Sequence, residues 1–264
     1  MTEPALLFTD GKAYEQIMGR WSRLAGEKFL DWIDPPKGLN WIDVGCGNGA
    51  FTEVLMARCK PAAVTGVDPS EGQLAYARTR PGTRGAQFRL ADAQSLPFAD
   101  GSFDAASMAL VITFIPDPLK AAKEMARVVR PGGIVGTYMW DFDGGGFPLT
   151  PLSTALKSLG VKLPGPVSRD AADRGRMEAI WKEAGLHDVE TEIVRVRIAY
   201  SGFDDFWDSN SVPIGHTGSA IAAMAPEESA RLKAKLRELL PIAADGSIAY
   251  DAFANAAKGR VAGR

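Results

Sequence analysis

Hydrophobic positions in the first half of the chain fall into short apolar runs that alternate with stretches of helical spacing. Trp41–Val44 is an apolar run that predicts a buried strand, and Phe51–Arg58 has the spacing of a helix. Gly45, Gly47 and Gly49 lie between them, which is typical of a turn where the backbone must approach a ligand. Further strands are predicted at Ala63–Val67, Gln87–Ala91, Phe103–Ala109 and Ile134–Met139.

The same alternation continues toward the carboxyl terminus. Apolar residues recur at helical spacing from Leu119 to Val129, and the sequence Arg-Pro-Gly-Gly at 130–133 predicts the end of that helix. A second helix is predicted over Asp173–Ala184, with Gly185 as its stop. A third, Pro226–Leu240, opens with Pro-Glu-Glu, a favourable helix start.

Asp188–Tyr200 has the alternation of a strand, but its apolar phase changes once. Val189, Thr191 and Ile193 share one face, whereas Val194, Val196 and Ile198 share the other. Such a change of phase predicts a bulge or a bend in the strand.

These elements predict one fold class. Strands that alternate with helices indicate an α/β, doubly wound, mostly parallel sheet, here of seven strands. An antiparallel edge pair is expected, with the last strand somewhere in Ser247–Ala257. The whole chain, 1–264, is expected to be one domain.

Three segments fall outside this scaffold and are predicted to cover it. They are an N-terminal cap at 1–34 and helical lid insertions at 142–172 and 201–246. The two insertions carry Phe142, Phe147, Phe206 and Trp207, which predict an apolar pocket for a small-molecule acceptor.

Two acids follow predicted strands directly. Asp68 and Asp92 end the second and third strands, at the edge where open α/β sheets bind ligands. A carboxylate at Asp68 is suited to accept hydrogen bonds from both hydroxyls of a ribose. The glycine turn by itself does not choose the cofactor, because Gly45-x-Gly47-x-x-Ala50 also satisfies the dinucleotide fingerprint of dehydrogenases.

An ordered series of motifs narrows the choice. WIDVGCGNGAF, GVDPS, ADAQSLPF, FDAASMALVITFIPDP and EMARVVRPGG, in that order, resemble the class I S-adenosylmethionine-dependent methyltransferases, and among them the small-molecule group that includes enzymes of quinone biosynthesis. The resemblance covers roughly residues 12 to 200. It implies S-adenosyl-L-methionine as cofactor and methyl transfer as reaction.

The resemblance also implies roles for particular residues. Asp43 would support the methionine end of the cofactor, and Asp92 and Ala93 would bind the adenine. Tyr14 and Arg20 would belong to a leading helix that folds over the methionine end, with Arg20 near its carboxylate. The remaining cofactor residues that it implies are Gly45, Gly47, Asn48, Gly49, Asp68, Pro69 and Ala109.

Composition favours an enzyme of this kind over a polyanion-binding protein. The chain has 264 residues, a net charge of −2 and no long run of either sign, so neither nucleic acid nor a membrane is an expected partner. Cys46 and Cys59 are the only cysteines, and with two distant histidines they match neither a disulfide framework nor a metal site. A cytoplasmic protein without a bound metal is expected.

Asp141, at the end of the fifth strand, and His216, in the third covering segment, are the two candidates for a catalytic base. The leading hypothesis is in-line methyl transfer to O, C or N of a small, partly apolar acceptor. Two alternatives stay open: a protein that binds S-adenosylmethionine without catalysis, and an NAD-dependent dehydrogenase.

Overall fold

A computed structural model of the protein describes residues 20–213 and 215–263, and within that part the strands form a seven-stranded sheet. The order across the sheet is β3-β2-β1-β4-β5-β7-β6. The strands are β1 (Asn40–Val44), β2 (Ala63–Asp68), β3 (Gln87–Leu90), β4 (Phe103–Ala109), β5 (Val129–Trp140), β6 (Leu186–Tyr200) and β7 (Ile248–Val261).

Pairing in the sheet is parallel except at one edge. Strand β1 lies between β2 and β4 and is parallel to both, and β4 is parallel to β5. Strand β7 is inserted antiparallel between β5 and β6. The predicted α/β class, with a mostly parallel sheet and an antiparallel edge pair, is confirmed.

Nine α-helices lie within the described residues. They are α1 (Arg20–Ile33), α2 (Ala50–Cys59), α3 (Glu71–Thr79), α4 (Pro118–Val128), α5 (Thr150–Ser158), α6 (Arg174–Glu183), α7 (Phe203–Asn210), α8 (Gly215–Ala222) and α9 (Pro226–Leu239). Side chains start several of them: Asp117 accepts the Lys120 N–H at 2.9 Å, and Asp173 accepts the Arg176 N–H at 2.8 Å. Among these helices, not one has both the length and the apolar character that crossing a bilayer requires.

Helices cover both faces of the sheet. The space above Gly136 of β5 is filled by Phe29 and Ile33 of α1, and that above Gly259 of β7 by Trp181 of α6. Gly259 pairs with Val135, the neighbour of Gly136. Since paired residues face the same side and consecutive residues face opposite sides, α1 and α6 lie on opposite faces. The sheet is therefore doubly wound, as predicted.

The Arg-Pro-Gly-Gly sequence ends helix α4 as expected, but it lies inside a strand. Strand β5 begins at Val129, which pairs with Phe103, and the next pair is Ala105 with Ile134. The intervening residues bulge out of the ladder, where Gly132 takes a φ of 77°. The strand therefore begins five residues before the predicted start at Ile134.

Of the bulge or bend predicted between Ile193 and Val194, the bulge is wrong. Pairing of β6 with β7 is continuous from Glu190 to Tyr200, and the register shift lies earlier, between His187 and Glu190. The burial pattern changes because different faces are covered at the two ends of this 15-residue strand. The half-buried residues up to Ile193 face the α6 side, and the buried residues from Val194 onward face the α1 side.

Candidate functional site

A cavity of about 490 Å³ lies at the carboxyl ends of the parallel strands. That volume is within the range of about 300 to 1,000 Å³ that is usual for small-molecule sites. Residues that follow β1, β2, β3 and β4 all contribute to its lining, which includes Gly45–Asn48, Asp68–Ser70, Ala91–Gln94 and Ala109–Val111. The predicted strand ends meet at this cavity because parallel strands end at the same edge of a sheet.

The glycines of the turn after β1 serve different purposes. Gly45 has a φ of 72°, and a Cβ added there would lie 2.6 Å from both Val111 methyl carbons, so close packing requires glycine. Gly47 has a φ of 51° and lines the cavity, but a Cβ added there would meet no atom within 4 Å. The open space in front of Gly47 is what a ligand in contact with the backbone would need.

Asp68 points its carboxylate toward this turn from the end of β2. Its Oδ2 accepts the Gly47 N–H at 2.9 Å, and its Oδ1 accepts the Ser70 N–H at 2.9 Å. Burial raises the pKa of Asp68, and these two N–H donors partly offset that effect. Each carboxylate oxygen retains a lone pair, so Asp68 can accept further hydrogen bonds from a ligand.

Asp92 and Ala93 line the cavity after β3. The Oδ1 of Asp92 accepts the Gln94 N–H at 2.8 Å, which holds the loop in a tight turn. The Gln94 side chain in turn accepts the Asp117 N–H at 3.1 Å. The loop that follows β3 is thereby joined to the start of α4.

Asp43 lies beneath the glycine turn and not among the residues that line the cavity. Its side chain is fully buried, with Thr52 donating to Oδ2 at 2.6 Å and Ser107 to Oδ1 at 3.4 Å. Burial raises the pKa of Asp43 to about 7, against the lowering effect of the Thr52 and Ser107 hydroxyls. Asp43 therefore ties β1 to α2 and β4, and its expected support of the methionine end of the cofactor stays a prediction.

The other predicted cofactor residues are placed as follows. Asn48, Pro69 and Ala109 line the cavity, whereas Gly49 precedes α2 and is not among the lining residues. Tyr14 lies outside the described residues, as do the side chains of Arg20 and His216.

Asp141 has a local structural role. Its Oδ1 accepts the Gly144 N–H at 2.6 Å and its backbone oxygen accepts the Gly146 N–H at 2.7 Å, so it closes the loop after β5. Asp141 is not among the residues that line the cavity. The geometry gives it a capping role and does not bring it to the candidate site.

The two lid insertions contribute unequally. Gly165, Pro166 and Val167 of the 142–172 segment line the cavity, but no described residue of 201–246 does. Phe206, expected near the acceptor, is fully buried and packs edge-on against Tyr200 at 5.2 Å between ring centroids. The Lys233 Nζ lies over the Trp207 ring, 4.6 Å from the ring centroid.

The expected pocket aromatics of the first insertion also lie elsewhere. Phe142 and Phe147 pack against each other at 5.1 Å and are not among the lining residues. Aromatic residues from the scaffold line the cavity in their place: Phe51 of α2, Phe114 after β4 and Tyr138 of β5. Phe51 and Phe114 stand within or beside the quoted motifs, and that position was the available signal for them.

The charged side chains in the described part of the cavity lining have one sign. Among the described lining residues, the charged side chains are the carboxylates of Asp68 and Asp92, and none is a lysine, arginine or histidine. The same part of the chain holds no cluster of three histidine, cysteine or acidic side chains suited to a metal ion. The site is therefore electrostatically suited to a cationic ligand.

Comparison with known proteins agrees with this geometry. Residues 42–136 match a family model described as a methyltransferase domain. Over 114 residues the chain is 34% identical to a demethylmenaquinone methyltransferase of Desulfitobacterium hafniense, an alignment that covers 41% of this chain and 45% of that protein. Over 111 residues it is 40% identical to the methyltransferase GfsG of Streptomyces halstedii, covering 40% of each. These alignments span less than half of either relative.

A solved structure extends the likeness to the whole fold. The phosphoethanolamine N-methyltransferase 2 of Haemonchus contortus, solved with S-adenosyl-L-methionine, superposes with a TM-score of 0.58 at 20% identity. The match covers 96% of this chain and 56% of that one. At this identity the comparison shows a shared fold, and the seven-stranded sheet with its antiparallel edge pair is that fold.

Proposed function

We propose that this protein transfers a methyl group from S-adenosyl-L-methionine to a small, partly apolar acceptor, because residues 42–136 match a family model described as a methyltransferase domain. The observation that carries the proposal is the combination of an open glycine turn at Gly47 with the Asp68 carboxylate 2.9 Å from its N–H. Whole-chain activity is a proposal because the curated relatives match over less than half of their length.

The residues present fit the cofactor chemically. S-adenosylmethionine carries a sulfonium and an ammonium cation besides one carboxylate, so its net charge is positive, and the described lining residues offer carboxylates without a competing basic side chain. Asp68 would hold the ribose hydroxyls, and Asp92 with Ala93 would contact the adenine. Gly47 leaves room for the ligand against the backbone.

When bound, the cofactor supplies a methyl group already activated as an electrophile on sulfur. The chain's part is then to hold the acceptor in line and to exclude water, and such alignment contributes on the order of 7 to 11 kcal/mol in favourable cases. The buried ring of Tyr138 and the half-buried Val111 are parts of the cavity lining that would exclude water. Alignment is the mechanism this set of residues supports, and we propose no role for Asp141 as a base.

Titration calorimetry with S-adenosylhomocysteine, S-adenosylmethionine and NAD tests the cofactor proposal. We expect micromolar binding of the first two, equivalent to about −8 kcal/mol. Asp68→Asn should weaken both by about tenfold or more, because the neutral amide loses charged acceptors for the ribose. Asp208→Asn, on an exposed position of α7, is the matched control and should bind as the unmodified protein does.

Transfer itself is tested by mass-spectrometric detection of S-adenosylhomocysteine during incubation with a panel of phenols, enols and amines. Formation of S-adenosylhomocysteine above the acceptor-free rate supports the enzyme. Tight binding without turnover on any acceptor would favour the non-catalytic alternative. Binding of NAD in preference to S-adenosylmethionine and S-adenosylhomocysteine would refute the proposal.

A further inference from the structure

One wall of the cavity is apolar and open to solvent. Phe114 and Ile115 follow β4, and Pro166 and Val167 come from the 142–172 insertion. The side chains of Phe114 and Val167 are 41% and 69% exposed, although both are large and hydrophobic. Exposed apolar side chains grouped at the rim of a cavity are typical of a ligand contact surface.

This wall lies away from the ribose-binding carboxylate. In the sheet β2 and β4 flank β1 on opposite sides, so Asp68 and the residues after β4 approach the glycine turn from opposite directions. A ligand anchored at Asp68 that extends across the end of β1 therefore reaches toward Phe114. The wall, defined by Phe114, Ile115, Pro166 and Val167, is suited to the second substrate.

A single serine joins the two segments of the wall. Ser168 is buried, its N–H donates to the Thr113 oxygen at 3.0 Å, and its Oγ donates to the Ile115 oxygen at 2.7 Å. It follows Val167 directly, so these bonds set the distance between Val167 and the Thr113–Ile115 segment. Without the hydroxyl, one backbone bond would remain between them.

The charge of the cavity limits the acceptor further. The described lining residues present two carboxylates and no cationic side chain, so these side chains offer an anionic acceptor no counter-charge. The wall offers aromatic and aliphatic surface, which favours a ring-containing apolar molecule.

Resting on the proposed function, we propose that Ser168 is a positioning residue that fixes Phe114 and Val167 as an acceptor-binding wall, and that the acceptor is an uncharged, ring-containing apolar compound. Ser168 acts through the wall and does not touch the reacting atoms. Its contribution is expected in acceptor affinity and not in cofactor affinity.

Two fluorescent probes with one ring system test both parts. N-phenyl-1-naphthylamine is uncharged, and 8-anilinonaphthalene-1-sulfonate is the same compound with a sulfonate. Each is titrated into the full chain with and without saturating S-adenosylhomocysteine. We expect the neutral probe to bind at least about tenfold more tightly than the sulfonate, a difference of about 1.4 kcal/mol. Val167→Asp, at an exposed site that does not threaten folding, should weaken the neutral probe by about tenfold.

Ser168→Ala should raise the Kd of the neutral probe by about fivefold, as expected for one lost buried hydrogen bond, and leave the Kd of S-adenosylhomocysteine unchanged. Ser168→Thr, which keeps the hydroxyl, should restore most of the affinity. Ser158→Ala is the matched control: its Oγ donates to Ala155 within α5 at 2.7 Å, and it is not among the lining residues.

The outcomes separate the two proposals. Failure to bind S-adenosylhomocysteine overturns the proposed function, whereas the probe titrations without it still test the wall. Tighter binding of the sulfonate overturns the assigned acceptor class. Equal weakening of probe and S-adenosylhomocysteine by Ser168→Ala would make Ser168 a general structural residue, and unaltered probe binding in Val167→Asp would remove the wall from the acceptor site.

Discussion

Gly47 and Gly45 are equivalent in the sequence motif but should respond differently to alanine. Both have positive φ, at 51° and 72°, so alanine at either position costs about 1 to 2 kcal/mol from left-handed backbone strain. At Gly47 the added methyl meets no protein atom within 4 Å, so no further cost arises. At Gly45 it would lie 2.6 Å from Val111, and overpacking adds about 1 to 3 kcal/mol.

These costs convert to distinct thermal shifts. A chain of this size loses about 2 to 4 °C in Tm for each kcal/mol. Gly47→Ala should therefore lower Tm by about 2 to 8 °C, and Gly45→Ala by more. Gly185→Ala is the control for backbone strain, because Gly185 has a φ of 84°, open space around it and a position outside the cavity lining.

Cofactor affinity distinguishes Gly47→Ala from the strain control Gly185→Ala. The methyl group of Gly47→Ala would occupy the space left for the ligand, so the Kd of S-adenosylhomocysteine should rise by about a hundredfold while Gly185→Ala binds normally. Differential scanning fluorimetry and calorimetry on the three variants measure both quantities. Unchanged affinity in Gly47→Ala would refute the assignment of the open space at Gly47 to a ligand.

Two further predictions concern buried or capping acids. Burial raises the pKa of Asp43 from 3.8 to about 7. The folded state therefore binds a proton at Asp43 more tightly than the unfolded state does. The stability that this proton binding contributes is lost as pH rises from about 4 through 7. Urea unfolding of Asp43→Asn between pH 5 and 8 should give a smaller fall in stability than the unmodified chain; an identical fall would mean that Asp43 does not titrate in this range. Asp141→Asn should leave the Kd of S-adenosylhomocysteine within about twofold, because Asp141 caps a loop outside the cavity. A loss of turnover without a loss of Tm would show that Asp141 has a role besides capping this loop.

The fold and the Asp68 side of the cavity could be predicted because they depend on local patterns. The glycine turn follows β1 immediately, and Asp68 is the last residue of β2. Parallel pairing brings such strand ends together whatever the loops do. The sequence therefore indicated the fold class, the cavity edge and its main carboxylate.

Burial of Asp43 could not be predicted in this way. Its two hydroxyl partners, Thr52 and Ser107, lie 9 and 64 residues away in the chain. A strand pattern shows that Asp43 is near the turn, but not whether its carboxylate enters the cavity or lies beneath it. That depends on packing between β4 and α2, which no local pattern encodes.

The prediction that aromatic residues of the lid insertions line the pocket was wrong for a related reason. Helical spacing shows that Phe206 has a buried face, but burial against the scaffold and burial against a ligand give the same pattern. In the structure Phe206 packs on Tyr200 and Tyr250. The insertion contributes to the apolar wall through Pro166 and Val167 instead. They lie in an irregular segment with no periodicity to detect, and Ser168 joins that segment to the Ile115 carbonyl, 53 residues away.

One short segment, 109–116, packs on the glycine turn through Val111 and contributes Phe114 and Ile115 to the proposed acceptor wall. Leu110 is a buried non-glycine residue with a φ of 61°, held by its N–H to the Tyr138 oxygen at 2.9 Å. Strain of this kind costs on the order of 1 to 3 kcal/mol and persists where neighbouring contacts determine the backbone. Here it turns the chain so that Val111 packs on Gly45 while Phe114 reaches the wall. One strained residue thus fixes the segment that packs on the glycine turn relative to the apolar wall, and we expect this to provide the alignment that the proposed in-line transfer requires.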